Sequence, residues 1–239
     1  MAAYLHGRSE AHNIVDIVKA GRAYLGNLSR EWVVIGQSQG AGAAIYTARW
    51  ATQFGGRGLD YLGAVGTGTP AGIETVINAE GPGFPIELSA ATNAYFSYIY
   101  AGLRASYPEL GLNGILTPLG RTWLKRAETE CVNGFEEDIG NVQVNDFFTR
   151  PVSSLPNFNR TVIRYMAMPV KGFDKPFFMG HGKKDADVPY PLTFDYVKQL
   201  KANHQPVTFK TYNSDHSGTL LLSQKDTHPF VRKLFASKR

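Results

Sequence analysis

The stretch that most constrains this chain is Gly36-Gln37-Ser38-Gln39-Gly40. It fits G-x-S-x-G, and its surroundings suit that pattern. Trp32 to Ile35 before it is a short apolar, β-branched run of the kind that forms a buried strand. Ala41 to Thr52 after it reads as a helix rich in small residues. A strand that turns sharply into a helix lifts the serine above the sheet and exposes its hydroxyl to a base. A hydroxyl is a weak nucleophile without such a base, which gives the spacing its chemical sense. The turn crowds the positions two before and two after the serine, and glycines at 36 and 40 are expected to relieve that crowding. Ala41 and Ala43-Ala44 would let the helix lie close to the strands. The plain alternative is a glycine-rich turn with a solvent-facing serine. The flanking strand and helix argue against it.

The rest of the chain extends this pattern. Ser9 to Leu28 reads as a helix with Ile14, Ile17, Val18 and Leu25 on its apolar face. Ser9 is its expected cap, and Gly26-Asn27 its end. Leu62 to Val65 is a second buried strand, leading into the loop Gly66 to Pro70. Strand, helix, strand in this order predicts a doubly wound α/β sheet. The signal returns at Pro176 to Met179 (strand), Leu192 to Ala202 (helix), Val207 to Tyr212 (strand) and Phe230 to Phe235 (helix). Between them, Thr69 to Met168 shows turns, short helical patterns and the aromatic group Tyr95, Phe96, Tyr98 and Tyr100, with no buried strand. The expected organisation is an α/β core of residues 1–68 and 169–239 and an α-helical cap of residues 69–168. The single cysteine, Cys131, is expected buried or half-buried in that insertion.

A serine nucleophile on such a corner needs a carboxylate and then a histidine later in the chain. Phe177 to Pro189 supplies the first: an apolar strand runs into Gly180-His181-Gly182-Lys183-Lys184-Asp185-Ala186-Asp187. Asp185 is the candidate acid, with Asp187 and Asp174 as alternatives. Tyr212-Asn213-Ser214-Asp215-His216-Ser217-Gly218 supplies the second and places His216 in a loop. His181 is expected to shape the acid loop. His6, His12, His204 and His228 are expected at surface or capping positions. Ser38, Asp185 and His216 thus all lie just beyond strand ends, on one edge of the sheet. The backbone N–H of Gln39 would face the oxyanion. This chemistry requires no cofactor, and the spacing of histidines shows no H-E-x-x-H or related metal pattern. There is no G-x-G-x-x-G or G-x-x-x-x-G-K-[ST] loop for a nucleotide.

Composition removes other classes. Twenty-five Lys+Arg against 20 Asp+Glu give a net charge of +5, without a basic stripe interleaved with aromatics, so nucleic acid is not an expected partner. No run of about twenty apolar residues predicts a membrane span, and the first residues lack the apolar segment of a secretion signal. One cysteine makes neither an intrachain disulfide nor a thiolate metal site.

With these residues in place, the sequence resembles the α/β-hydrolase superfamily, and within it the secretory lipase family of fungal lipase A-type enzymes and actinobacterial homologues. The resemblance rests on Gly7 to Ala11, Val15 to Ala23, Trp32 to Gly40, His181-Gly182 through Val188-Pro189, and Asp215-His216. It implies hydrolysis of carboxylic esters, often acylglycerols, and a helical cap inserted between the sixth and seventh strands, matched by Thr69 to Met168. It places the acid at Asp185, four before the proline. It also makes Trp32 to Ile35 the fifth strand, so that strands one to four, and the loop that supplies a second oxyanion N–H, have no counterpart here. That leaves an apolar strand edge, expected to be covered by a second copy or by a further N-terminal segment. The expected substrate is a small ester with an apolar acyl or aromatic part. An acyltransferase or peptidase with the same triad, or a catalytically incomplete binding protein, are the rival readings.

Overall fold

A computed structural model describes residues 3–237. The chain divides into two compact units. One takes Gly7–Gly72 and the chain from Met168 onward. The other takes Ile73–Ala167 together with the chain up to His6.

The first unit carries the sheet. Four strands, β1 (Glu31–Gln37), β2 (Asp60–Thr67), β3 (Phe177–Gly182) and β4 (Val207–Tyr212), lie side by side in that order. Every pairing is parallel. Parallel strands require crossovers, and α2 (Gln39–Gly55) and α8 (Tyr190–Ala202) are two of them. β2 is buried from Tyr61 to Thr67, as an inner strand covered on both faces should be. β4 instead alternates between half-buried and exposed residues, the mark of an edge. β1 forms the other edge. Trp32 and Val34 face the core, whereas Ile35 is 59% exposed.

α1 (Gly7–Leu25) packs on α2, and it starts two residues earlier than the Ser9 cap predicts. The reason is Gly7: a Cβ there would sit 2.0 Å from the Tyr46 ring, so only glycine brings the first turn onto α2. Gly26, at φ 71°, ends the helix as expected, and its amide donates to the Arg22 carbonyl. Ala41, Ala44, Ala48 and Ala51 on α2 are buried against the sheet. Ala44, Ala48 and Ala51 join Val15, Ile45, Tyr61, Phe177, Met179 and Val197 in one core. The C-terminal pattern Phe230 to Phe235 falls within α10 (Gln224–Ala236), which is preceded by a further helix, α9 (His216–Leu222), after β4 in the chain.

The second unit is helical: α3 (Ile73–Ala79), α4 (Ala90–Ser106), α5 (Pro118–Ala127), α6 (Val132–Ile139) and α7 (Phe158–Met166). Its described residues contain no strand, and Leu116 and Phe148 form an isolated bridge. Ser89 caps α4, its hydroxyl accepting from the Thr92 amide at 3.2 Å. Phe96, Ile99, Tyr100 and Leu103 on α4 are buried, and Phe135 on α6 meets Tyr98 and Trp123. Two placements differ from the sequence reading. The residues before α1, expected with the sheet, pack here: Tyr165 donates its hydroxyl proton to the Tyr4 carbonyl, and the His6 ring lies tilted against the Tyr165 ring. Cys131 is exposed rather than buried, because it occupies the N-cap of α6, in the turn after α5. No helix among the described residues is long and apolar enough to cross a membrane.

Glu80, just beyond α3, is the least comfortable group in this unit. The residue is fully buried and neither carboxyl oxygen has a hydrogen-bond partner among the described residues. Burial pushes its carboxyl up to about 8. Below pH 4.5 the acid is protonated whether folded or unfolded, and folding carries no ionic penalty. As pH rises from there, the unfolded chain ionises first, and the penalty grows until pH passes about 8. Glu80→Gln is therefore expected to match the wild type in urea unfolding at pH 4. At pH 8.5 it is expected to exceed it by on the order of 5 kcal/mol. An advantage that does not grow with pH contradicts this reading.

Candidate active site

The corner between β1 and α2 is as sharp as its sequence implies. Ser38 has φ 55° and ψ −122°, a region that L residues with side chains rarely occupy. Its amide donates to the Thr67 carbonyl at 2.9 Å, continuing the β1–β2 ladder one step beyond the strand. The amides of Ala41 and Gly42 turn back onto the Ser38 carbonyl, starting α2. Gly36 is required here: a Cβ on it would lie 1.9 Å from the Gly40 carbonyl oxygen. Gly40 is not, since a Cβ there would meet nothing within 4 Å. The expected need for two glycines thus reduces to one, because Gly40 already lies in the first turn of α2, where its Cβ would point into open space, while that same turn lies against Gly36. The amides of Gln39 and Gly40 open α2, with no preceding helical carbonyl to bond.

Asp185 and His216 come together across the ends of β3 and β4. His216 Nδ1 donates to Asp185 Oδ2 at 2.7 Å. A carboxylate only accepts, so the Nδ1 carries the hydrogen and Nε2 keeps its lone pair. The other carboxylate oxygen, Oδ1, accepts the amides of Asp187 at 3.1 Å and Val188 at 2.8 Å. Burial alone would raise the Asp185 carboxyl. The His216 bond and the Val188 amide outweigh it, and the group stays below its ordinary range, ionised at neutral pH. For His216, burial favours the neutral ring. The bond to Asp185 and the charges of Asp185, Asp187 and Asp215 outweigh that and raise its pKa above the ordinary imidazole value.

His216 is the first residue of α9, not part of a loop. The physical reason is Asp215, whose carboxylate accepts the Gly218 amide at 2.7 Å and so caps the helix one residue earlier. The ring packs over Gly68, the residue after the partner of the Ser38 amide. A Cβ at Gly68 would lie 2.8 Å from Cε1. The Gln37 side-chain amide reaches toward the His216 carbonyl at 3.4 Å. Ser38 and His216 therefore stand at the same end of the sheet. His216 Nε2 is buried and makes no hydrogen bond among the described residues, so the serine–imidazole bond is not formed in this structure.

The alternatives separate cleanly. Asp174 is exposed and precedes β3, at the opposite end of that strand. Asp187 is half-buried and takes part through its backbone amide. Asp185, Asp187 and His216 offer ligand atoms within 4.8 Å of one another. Both Asp185 oxygens are, however, already engaged by the imidazole and the two amides. His12 is exposed and stacks on Phe54, and His204 lies just past the Asn203 cap of α8 at a positive φ. Two supporting residues escaped the sequence reading. The Gln37 side chain and the bare backbone of Gly68 became visible only once β1, β2 and α9 were brought together.

No family model matches the sequence, and no curated protein matches it. Solved structures do match in fold. The closed-state structure of Candida antarctica lipase A is 20% identical, with a TM-score of 0.82, covering 99% of this chain and 56% of that one. A second structure of Candida antarctica lipase A is 21% identical with a TM-score of 0.75, covering 90% of this chain and 51% of the other. The rice cell wall degrading esterase LipA from Xanthomonas oryzae is 18% identical with a TM-score of 0.73, covering 99% and 68%. This chain thus has the α/β-hydrolase fold of lipase and esterase structures. It spans about half the length of the lipase A chains.

Proposed function

We propose that this chain is a serine hydrolase of carboxylic esters, with Ser38 as nucleophile, His216 as base and Asp185 as the orienting acid. The observation that carries the reading is the buried 2.7 Å bond from His216 Nδ1 to Asp185, at the sheet end where Ser38 is held at φ 55°. It leaves the Nε2 lone pair as the only basic site of the imidazole. The lipase and esterase fold of the neighbouring structures supports the same class.

In this mechanism the Ser38 hydroxyl oxygen bonds to the ester carbonyl carbon while His216 Nε2 takes its proton. The carbonyl oxygen becomes an oxyanion and accepts from the Gln39 amide at the positive end of α2. Asp185 stabilises the imidazolium. The tetrahedral adduct collapses, the alcohol leaves with the proton from Nε2, and the acyl group stays on Ser38. Water, losing a proton to His216, then releases the acid. The Ser38–Nε2 bond is not made in this structure, and catalytic bonds of this kind commonly form or tighten when substrate binds. The helical unit of Ile73–Ala167, rich in buried aromatics, is the proposed cap, and the proposed substrates carry an apolar acyl or aromatic group.

Turnover of p-nitrophenyl esters of graded chain length tests this. Asp185→Asn is isosteric but frees His216 to adopt the wrong tautomer. It is expected to lower kcat about 10^4-fold with little change in KM. Equal rates in the two proteins overturn the assignment.

A further inference from the structure

His181, on β3, stands four residues before Asp185 and is fully buried. Its Nε2 lies 3.0 Å from the Val188 carbonyl oxygen and 3.3 Å from Asp185 Oδ2. Both neighbours only accept, so Nε2 carries the hydrogen and donates to Val188 while facing the carboxylate. Nδ1 is then a bare lone pair. It is buried and has no partner among the described residues. A second ring proton at Nδ1 would therefore point to a buried spot with no acceptor among the described residues. Burial, joined by the neighbouring His216, outweighs the Val188 and Asp185 contacts and keeps the ring neutral. The carboxylate is thus enclosed: Oδ1 by two amides, Oδ2 by His216 on one side and His181 on the other.

We propose that His181 is a positioning residue for the Asp185–His216 pair: its single N–H ties the acid loop at Val188 and holds Asp185 Oδ2 in line with His216 Nδ1. The proposal rests on the serine-hydrolase reading for its importance to turnover, and on the geometry alone for the pair itself. The same N–H draws negative charge from the oxygen that His216 uses, so it tempers how strongly Asp185 stabilises the imidazolium. Asp185 and Asp187 of the acid loop and Asp215 at the start of α9 all pull the His216 proton on, while burial opposes them. Removing the N–H dipole that faces Oδ2 at 3.3 Å strengthens the pull. A merely structural role would act in the other direction, because a slackened loop lengthens the Asp185–His216 bond and releases the proton more readily.

The test titrates the His216 ring by NMR in the full chain and, in parallel, follows kcat/KM for p-nitrophenyl butyrate against pH. His181→Phe keeps the ring volume without a donor. His181→Gln restores an N–H near the position of Nε2. The expected result is a His216 titration and acid limb about one pH unit higher in His181→Phe and close to wild type in His181→Gln. An unmoved or lowered titration in His181→Phe, or an equal rise in both variants, overturns the proposal. If His181→Phe does not fold, the wild-type ring still decides. His181 is expected as the Nε2–H tautomer, titrating below the ordinary imidazole range, and an Nδ1–H tautomer overturns the proposal. A wild type that shows this titration but hydrolyses no ester contradicts the hydrolase reading instead, so the two failures are distinct.

Discussion

Ser38→Ala is expected to lower kcat for p-nitrophenyl ester hydrolysis by about 10^6-fold and to leave the fold intact. The size follows from the mechanism. Without the hydroxyl there is no acyl-enzyme, and His216, still paired with Asp185, can activate only water. The corner itself does not depend on the serine side chain. It is held by the Ser38 amide on Thr67 and by the amides of Ala41 and Gly42 on the Ser38 carbonyl, all of which alanine keeps. Alanine also occupies φ 55° at about the same cost as serine, so thermal unfolding should be nearly unchanged. A residual rate within tenfold of the wild type contradicts the role assigned to Ser38.

Gly36→Ala is expected to have the largest effect on stability, more than about 4 kcal/mol, to the point of failed folding. The added methyl carbon would meet the Gly40 oxygen at 1.9 Å, the Gly40 carbonyl carbon at 2.2 Å and the Ala41 nitrogen at 2.8 Å. All three are backbone atoms of the first turn of α2. They cannot rotate away as a side chain could, and moving them would pull α2 off the sheet. Gly40→Ala is the matched comparison. It adds the same atom two residues past Ser38 in open space, at a helical position where alanine is favoured by about 1 kcal/mol. Urea unfolding should show Gly40→Ala at or above wild type. Similar losses in both variants would mean that the clash at Gly36 is not what the corner demands.

The contrast between these two glycines shows what could be read from the sequence. The pattern around Ser38 implied a tight corner, because strand, glycine, serine and small-residue helix each report local geometry. It did not say which glycine the corner needs, since that depends on the direction in which α2 departs. The candidate acid and base were legible for a similar reason. Asp185 and His216 each follow a strand, β3 apolar and β4 alternating, and parallel strands deliver their C-terminal ends to one edge. Their pairing adds detail that no strand pattern carries. Asp215 starts α9 early and so sets the His216 ring on a helix, and His181, four residues before the acid, turns its ring onto it. The sequence expected His181 to shape the acid loop, and its contacts with Val188 and Asp185 give that expectation its geometry. The helical unit was legible mainly by what it lacks, a strand period. Tyr4 and His6 join it through Tyr165, more than 150 residues away in sequence, and no local pattern reports a contact of that range. Glu80 reads as an ordinary surface charge after a short helix. Its burial follows from the packing of that helix, not from its neighbours in the chain.

The most direct measurement of the central claim is the mass of the intact protein after reaction with a fluorophosphonate ester, followed by peptide mapping. A nucleophilic serine activated by His216 displaces fluoride and keeps the phosphonyl group. The account predicts one adduct per chain, on the peptide containing Ser38, absent from Ser38→Ala and strongly slowed in Asp185→Asn. Ester turnover without an adduct, or an adduct placed on another residue, would contradict it.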